Sequence, residues 1–278
     1  MFHLGFMLMR LALLFLAAWP RLAAPALAGG EDDSGATIRL EVLDGGMTAN
    51  GTYLAALRMQ LAEGWKTYWR APGEAGIPPR FDWSGSSNVG RVDITWPTPQ
   101  VFDLQGLRAI GYKYELVLPV EVTPTRKGQP VRLRGSVDLG VCKDVCMPAT
   151  LDFDHRLDPR AGRNPVIAAA LAQRPYSAKE AGVRKATCRI RPSANGVRVE
   201  ARIAMPTAGG QEIAVIEPGD PQLWASETET RRKGDMLVAS AEVADARGAA
   251  AFALDRSRIR ITVIGRDHAV DIRGCSAG

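Results

Sequence analysis

Along most of the chain, apolar and polar residues alternate in short runs broken by Gly, Pro and Asn. A period of two is that of a strand with one face buried, and it predicts strands at 38–43, 53–61, 91–96, 116–122, 131–139 and 150–157. The pattern resumes at 183–190, 197–204, 212–216, 236–243 and 259–264, and the unit ends at Asp271-Ile272-Arg273-Gly274-Cys275. Many short strands between turn residues are the spacing of an all-β sandwich. One segment differs. Asn164 is a good N-cap, Pro165 suits a first helical position, the alanines that follow favour helix, and Pro175 marks a stop. A single short helix is therefore predicted between two β units. Trp65, Tyr68, Trp69 and Trp96 are expected in the core, where large aromatics of β-sandwiches mostly pack.

The first 28 residues read as an address. Arg10 precedes the apolar run Leu11 to Trp19, and Ala26-Leu27-Ala28 supplies the small residues of a cleavage site. The run is shorter than the ~20 residues a spanning helix needs, and Pro20 and Arg21 interrupt it. An exported chain cleaved near Ala28 is expected. No later segment approaches an uninterrupted apolar span, so the mature chain is expected to insert in no membrane. Losing Arg10 and Arg21 lowers the formal net charge from +5 to +3, a weak excess. Arg231-Arg232-Lys233 reads as a solvated face, because no aromatics are interleaved with basic residues as on a nucleic-acid surface. The remaining length favours two domains: 35–157 and 179–278, joined by a helical linker at 158–178.

Four cysteines, an even number in an exported chain, predict disulfides. Cys142 and Cys146 lie four positions apart. An unbroken strand would separate their Cα atoms by about 13 Å, beyond the ~7 Å limit for a disulfide. The chain must fold back, and the β pattern on both sides predicts a hairpin-like loop with Lys143 and Asp144 near its tip. Cys188 falls in the first predicted strand of the second unit and Cys275 just past its last, so a bridge between them would tie that unit's ends together. Closing that long loop is worth roughly 4.6 kcal/mol against about 2 for the short one. The long bridge reads as structural. The short one suits electron exchange better than stapling. Two other readings of the short pair stay open: an inert stapled hairpin, and a soft Cu(I) site made by Cys142, Cys146 and Met147. Lys143 and basic neighbours on adjacent strands favour a thiolate, and Asp144 opposes it. His155 and His268 lack the spacing of zinc ligands.

Four ordered motifs carry a resemblance: Gly64-Trp65-Lys66-Thr67-Tyr68-Trp69-Arg70-Ala71-Pro72-Gly73-Glu74-Ala75-Gly76-Ile77-Pro78-Pro79, Ile94-Thr95-Trp96-Pro97-Thr98-Pro99, Gly111-Tyr112-Lys113-Tyr114-Glu115-Leu116-Val117-Leu118-Pro119-Val120 and Gly140-Val141-Cys142-Lys143-Asp144-Val145-Cys146-Met147-Pro148. Residues 35–157 resemble the N-terminal periplasmic domain of DsbD-type thiol:disulfide interchange proteins, in their ScsB-like branch. The second unit is similar to the extra domain of longer ScsB-like N-terminal regions. The resemblance implies two immunoglobulin-like sandwiches and a periplasmic oxidoreductase that needs no cofactor and no metal. It implies that Cys146 forms mixed disulfides and Cys142 resolves them. Implied partners are thioredoxin-like or disulfide isomerase proteins, cytochrome c maturation among their roles, and a separate membrane electron donor. The family shields its cysteines with a cap loop. Residues 98–104 occupy that position, which makes Phe102 the expected shield with Tyr68 nearby; core packing is the other reading of Phe102. The family's better-known members space the two cysteines more widely. The competing reading of the whole is a non-enzymatic binding module, docking a protein or Cu(I), with an inert hairpin disulfide.

Overall fold

The computed structural model describes residues 37–278 apart from 75, 105, 195 and 249–251; the expected export signal at 1–28 lies outside the described residues. In chain order the first ten strands are β1 (Ile38–Met47), β2 (Tyr53–Leu61), β3 (Lys66–Tyr68), β4 (Arg80–Asp82), β5 (Val89–Ile94), β6 (Gln100–Leu104), β7 (Leu107–Lys113), β8 (Glu115–Pro124), β9 (Arg132–Cys142) and β10 (Cys146–Arg156). They form one sheet in the order β1-β2-β8-β5 and a second in the order β10-β9-β3-β7-β6, with β4 also paired to β9. Alternate residues of both sheets, among them Leu57, Met59, Leu118, Leu133, Leu139 and Val141, meet in a shared core around the fully buried Trp69. Trp65 and Trp96 pack at its margin.

The predicted helix is α1 (Pro165–Ala172). The Asn164 side chain accepts the backbone N–H groups of Val166 at 3.0 Å and Ile167 at 3.4 Å, satisfying donors that a helix start leaves free. Ile167 and Ala170 bury against Ala56 of β2 and Val117 of β8. The helix thus covers the outer face of the first sheet as well as connecting the chain halves.

Ten further strands follow: β11 (Tyr176–Ser177), β12 (Lys185–Ser193), β13 (Gly196–Ala204), β14 (Ile213–Glu217), β15 (Leu223–Ala225), β16 (Glu229–Lys233), β17 (Met236–Asp245), β18 (Arg260–Ile264), β19 (Ala269–Arg273) and β20 (Ser276–Ala277). The third sheet runs β11-β19-β18-β14, and the fourth β15-β17-β13-β12-β20 with β16 also on β17. Their facing sides enclose a second core of Val199, Ala201, Ile203, Leu237, Ile261 and Val263. Cys188 lies in that core and is disulfide-bonded to Cys275, with Cα atoms 5.7 Å apart. The fold is all-β and immunoglobulin-like, built of stacked, mainly antiparallel sheets with Greek-key-like crossovers; β11 joins β19 and β20 joins β12 in parallel.

The third sheet is buried on both sides. Ile261 and Val263 face the second core, while Ile264, Ala269 and Val215 pack against the first. At this contact Arg70, just past β3, forms a two-pronged ion pair with Glu217 of β14 at 2.9 Å for each prong and donates to Thr262 Oγ1 at 3.2 Å. Burial holds the Arg70 guanidinium below its ordinary pKa, against the pull of Glu217. Arg108 reaches Glu227 at 2.5 Å.

Two expectations are corrected here. Residues 98–104 are not a plain loop: β6 pairs with β7 as a hairpin, in which Phe102 stands opposite Ala109. Tyr68 is buried but outside the main core, on the opposite face of its sheet from Trp69, because successive side chains of a strand alternate.

Candidate active site

Cys142 ends β9 and Cys146 begins β10, paired directly across the ladder. Residues 143–145 make the turn, closed by Lys143 N–H donating to the Val145 carbonyl at 3.3 Å. The reversal brings the two Cα atoms to 4.1 Å, and the sulfurs are bonded. Exposure divides the pair: Cys142 is 1% exposed, whereas Cys146 and the tip residues Lys143, Asp144 and Val145 are exposed.

Register explains what surrounds them. Lys66 of β3 pairs with Cys142 on one side and with Lys113 of β7 on the other. Directly paired residues project to the same face, so Cys146, Cys142, Lys66 and Lys113 form one row on the sheet face away from the core. Tyr68 and Gly140 lie two residues along β3 and β9, on that same face. A Cβ placed on Gly140 would stand 3.0 Å from Tyr68 Cδ2 and Cε2; one on Gly76 would stand 2.8 Å from Cδ1 and 3.0 Å from Cε1. Two glycines thus flank opposite edges of the tyrosine ring, one in the sheet and one in the loop before β4. Neither has a positive φ, so glycine is required here for room. In that slot the Tyr68 hydroxyl lies 2.7 Å from Cys142 Sγ and 3.2 Å from Cys146 Sγ. A disulfide sulfur carries no proton, so the hydroxyl donates; burial pushes the phenol's pKa up and keeps that proton in place.

Phe102, Tyr68, Ala109 and Cys142 make a small apolar cluster of their own. Phe102 is 8% exposed, and Lys113 Nζ stands 4.8 Å from its ring centroid, within cation–π range. The hairpin β6–β7 thereby covers the inner sulfur from one side while Tyr68 covers it from another. Beneath, the Thr67 hydroxyl donates to the Gly140 carbonyl at 2.9 Å and fixes β3 against β9. The glycine slot was not anticipated from the sequence; the nearest signal was the pair of glycines within the Tyr68 and Cys142 motifs.

Met147 pairs with Val141 and packs against the core. Its thioether is on the other face from Cys146, so the three sulfurs proposed for Cu(I) do not converge. His155 instead bonds Asp44 at 2.7 Å, and the His268 ring lies 5.2 Å from that of Tyr176. A cleft of about 640 Å³ lies between the 72–78 loop and residues 213–228, and neither cysteine lines it.

The sequence of residues 44–157 matches the family described as thiol:disulfide interchange protein DsbD, N-terminal. This stretch is a DsbD-type N-terminal domain. With its Cys142–Cys146 disulfide it is a thiol:disulfide interchange module. The chain as a whole has the fold of the N-terminal periplasmic domain of ScsB from Proteus mirabilis, at 23% identity and a TM-score of 0.66 over 87% of this chain and 94% of that one. A second solved structure, the DsbD N-terminal domain of Neisseria meningitidis in the reduced form, aligns at 19% identity with a TM-score of 0.27 over 47% of this chain and 89% of that one. No curated protein matches the sequence. Among the described residues no helix is long and apolar enough to cross a membrane.

Proposed function

We propose that the protein is a periplasmic relay of electrons, accepting them from one dithiol partner and passing them to another through Cys142 and Cys146. A donor thiolate attacks the exposed Cys146 sulfur and breaks the Cys142–Cys146 bond, and Cys142 leaves as the thiolate. The donor's second thiol then displaces Cys146, so that two electrons and two protons have moved to this chain and the donor leaves as a disulfide. In the forward half, the Cys146 thiolate attacks an acceptor disulfide. Cys142 then attacks the Cys146 sulfur of the mixed disulfide, re-forms the original bond and releases the acceptor as a dithiol. Thioredoxin-like proteins, which DsbD-type domains meet in general, are the partner class, with a membrane protein as donor. Export to an oxidising compartment, by the leader expected at 1–28, accords with both disulfides.

The unequal burial of the two sulfurs carries this reading. Cys146 is exposed at the start of β10, whereas Cys142 is buried under Tyr68 and Phe102. Phe102 and Tyr68 would thus act as the shield that keeps the resolving sulfur from the wrong partner. Trapping tests it. The Cys142→Ser protein, exposed to periplasmic extract, should accumulate covalent partners through Cys146, and Cys146→Ser should accumulate none. Equal trapping by both variants would remove the assigned roles.

A further inference from the structure

The outer face of the fourth sheet holds a charge excess that the redox site does not use. Register places Arg191 of β12 beside Arg198 of β13 and Glu242 of β17; Arg189 beside Glu200, Ser240 and Glu229 of β16; Arg202 beside Val238 and Arg231; and Lys185 beside Ala204, Met236 and Lys233. Directly paired residues share a face, and the alternate residues Val199, Ala201, Ile203, Leu237, Ala239 and Ala241 fill the core. The outward side therefore carries seven exposed cations, at 185, 189, 191, 198, 202, 231 and 233, against the three carboxylates Glu200, Glu229 and Glu242. Its excess of four is close to the whole chain's net charge of +5.

The carboxylates are already engaged. Glu200 lies 3.2 Å from Arg202, Glu242 lies 3.7 Å from Arg198, and Glu229 lies 3.9 Å from both Arg198 and Arg231. Among the described residues, Lys185, Arg189, Arg191 and Lys233 have no carboxylate within 4.0 Å. Trp224 of β15, 50% exposed, pairs with Ala244 and so stands at the margin of the same face.

We propose that this face docks the protein on an anionic lipid bilayer. The cations are spread over several strands about 4.8 Å apart, on an open sheet rather than around a groove. A fluid layer of anionic headgroups can redistribute beneath such a surface, whereas a folded acidic partner would need carboxylates fixed at matching positions. An exposed indole at the rim suits the headgroup level of a membrane, where tryptophan partitions. Attraction of this kind reaches about one Debye length, so the association is peripheral, reversible and salt-sensitive. It uses none of the residues of the disulfide site and holds or fails independently of the relay.

Sedimentation of the exported, processed protein with lipid vesicles tests it. Phosphatidylcholine vesicles containing phosphatidylglycerol should bind at least about tenfold more protein than phosphatidylcholine alone, and the difference should vanish near 1 M salt, where the screening length is about 3 Å. The combined change Lys185→Gln, Arg189→Gln, Arg191→Gln and Lys233→Gln should abolish the binding while circular dichroism and melting temperature stay native, since all four side chains are exposed. Glu200→Gln with Glu242→Gln should strengthen it. Absence of sedimentation with the anionic vesicles, or equal sedimentation of the four-fold variant, overturns the proposal. So does retention on heparin without vesicle binding, which would assign the face to a soluble polyanion.

Discussion

The Tyr68 hydroxyl donates a hydrogen bond to Cys142 Sγ across 2.7 Å. When the disulfide opens, the same proton faces a sulfur that can carry negative charge, and hydrogen bonds to charged groups are worth about 1.5–3 kcal/mol. Tyr68→Phe keeps the ring and removes that stabilisation of the reduced state. The reduction potential of the pair should fall by about 30 mV or more, since 30 mV corresponds to about 1.4 kcal/mol for a two-electron couple. Equilibration of the variant with glutathione redox buffers measures this. An unchanged potential would leave Tyr68 a packing residue.

Gly140→Ala places a methyl carbon 3.0 Å from the Tyr68 ring and 2.9 Å from Ile77 Cβ. Overpacking of this size costs about 1–3 kcal/mol, and relieving it moves the ring away from the sulfurs. The expected result is a lower urea midpoint together with slower exchange. Combined with Tyr68→Ala, the same substitution should cost less than the sum of the two single changes without recovering exchange, which a double-mutant cycle checks.

Arg70→Met should destabilise the fold by about 3 kcal/mol, because it strands the Glu217 carboxylate at the contact between the third sheet and the first core. Pairing it with Glu217→Leu should restore most of the loss, since two apolar side chains fill a site from which both charges have gone. Urea denaturation of the two single variants and the double variant reads this directly. Equal stability of Arg70→Met and the native chain would show the ion pair to be solvent-screened.

Glu180 accepts hydrogen bonds from Arg174 and from the backbone and hydroxyl of Ser177, and these pull its pKa down to about 2 from an ordinary 4.5. A depressed folded-state value stabilises the fold above the unfolded pKa, and that contribution is lost as pH falls through the folded one. The melting temperature of the native chain should therefore drop between about pH 4.5 and pH 2 more than that of Glu180→Gln. Parallel acid limbs for the two proteins would contradict the assignment.

The hairpin carrying the cysteines was legible because two local constraints coincide there: thiols too close for an extended strand, and period-two patterning on both sides. The helix was legible from Asn164, Pro165 and Pro175, whose effects are also local. The surroundings of the sulfurs were not. Tyr68 reads as one more core aromatic until the register of β3 against β9 is known, since that register decides which face it takes. Hairpin β6–β7 is not legible in the sequence because Asp103 interrupts the apolar alternation, and its place over Cys142 depends on pairing with the distant β3. The cationic face was hidden for the same reason: Arg189, Arg191, Arg198 and Arg202 look like ordinary exposed positions until three strands are set side by side.

Selective reduction tests the central assignment most directly. The native protein is incubated in dithiol redox buffers of graded potential, quenched by alkylation, and each cysteine is scored by peptide mass spectrometry. Cys142 and Cys146 should become alkylated together at mild potentials at which Cys188 and Cys275 remain fully bonded. Opening of both bridges at one potential, or of the Cys188–Cys275 bridge first, would contradict it.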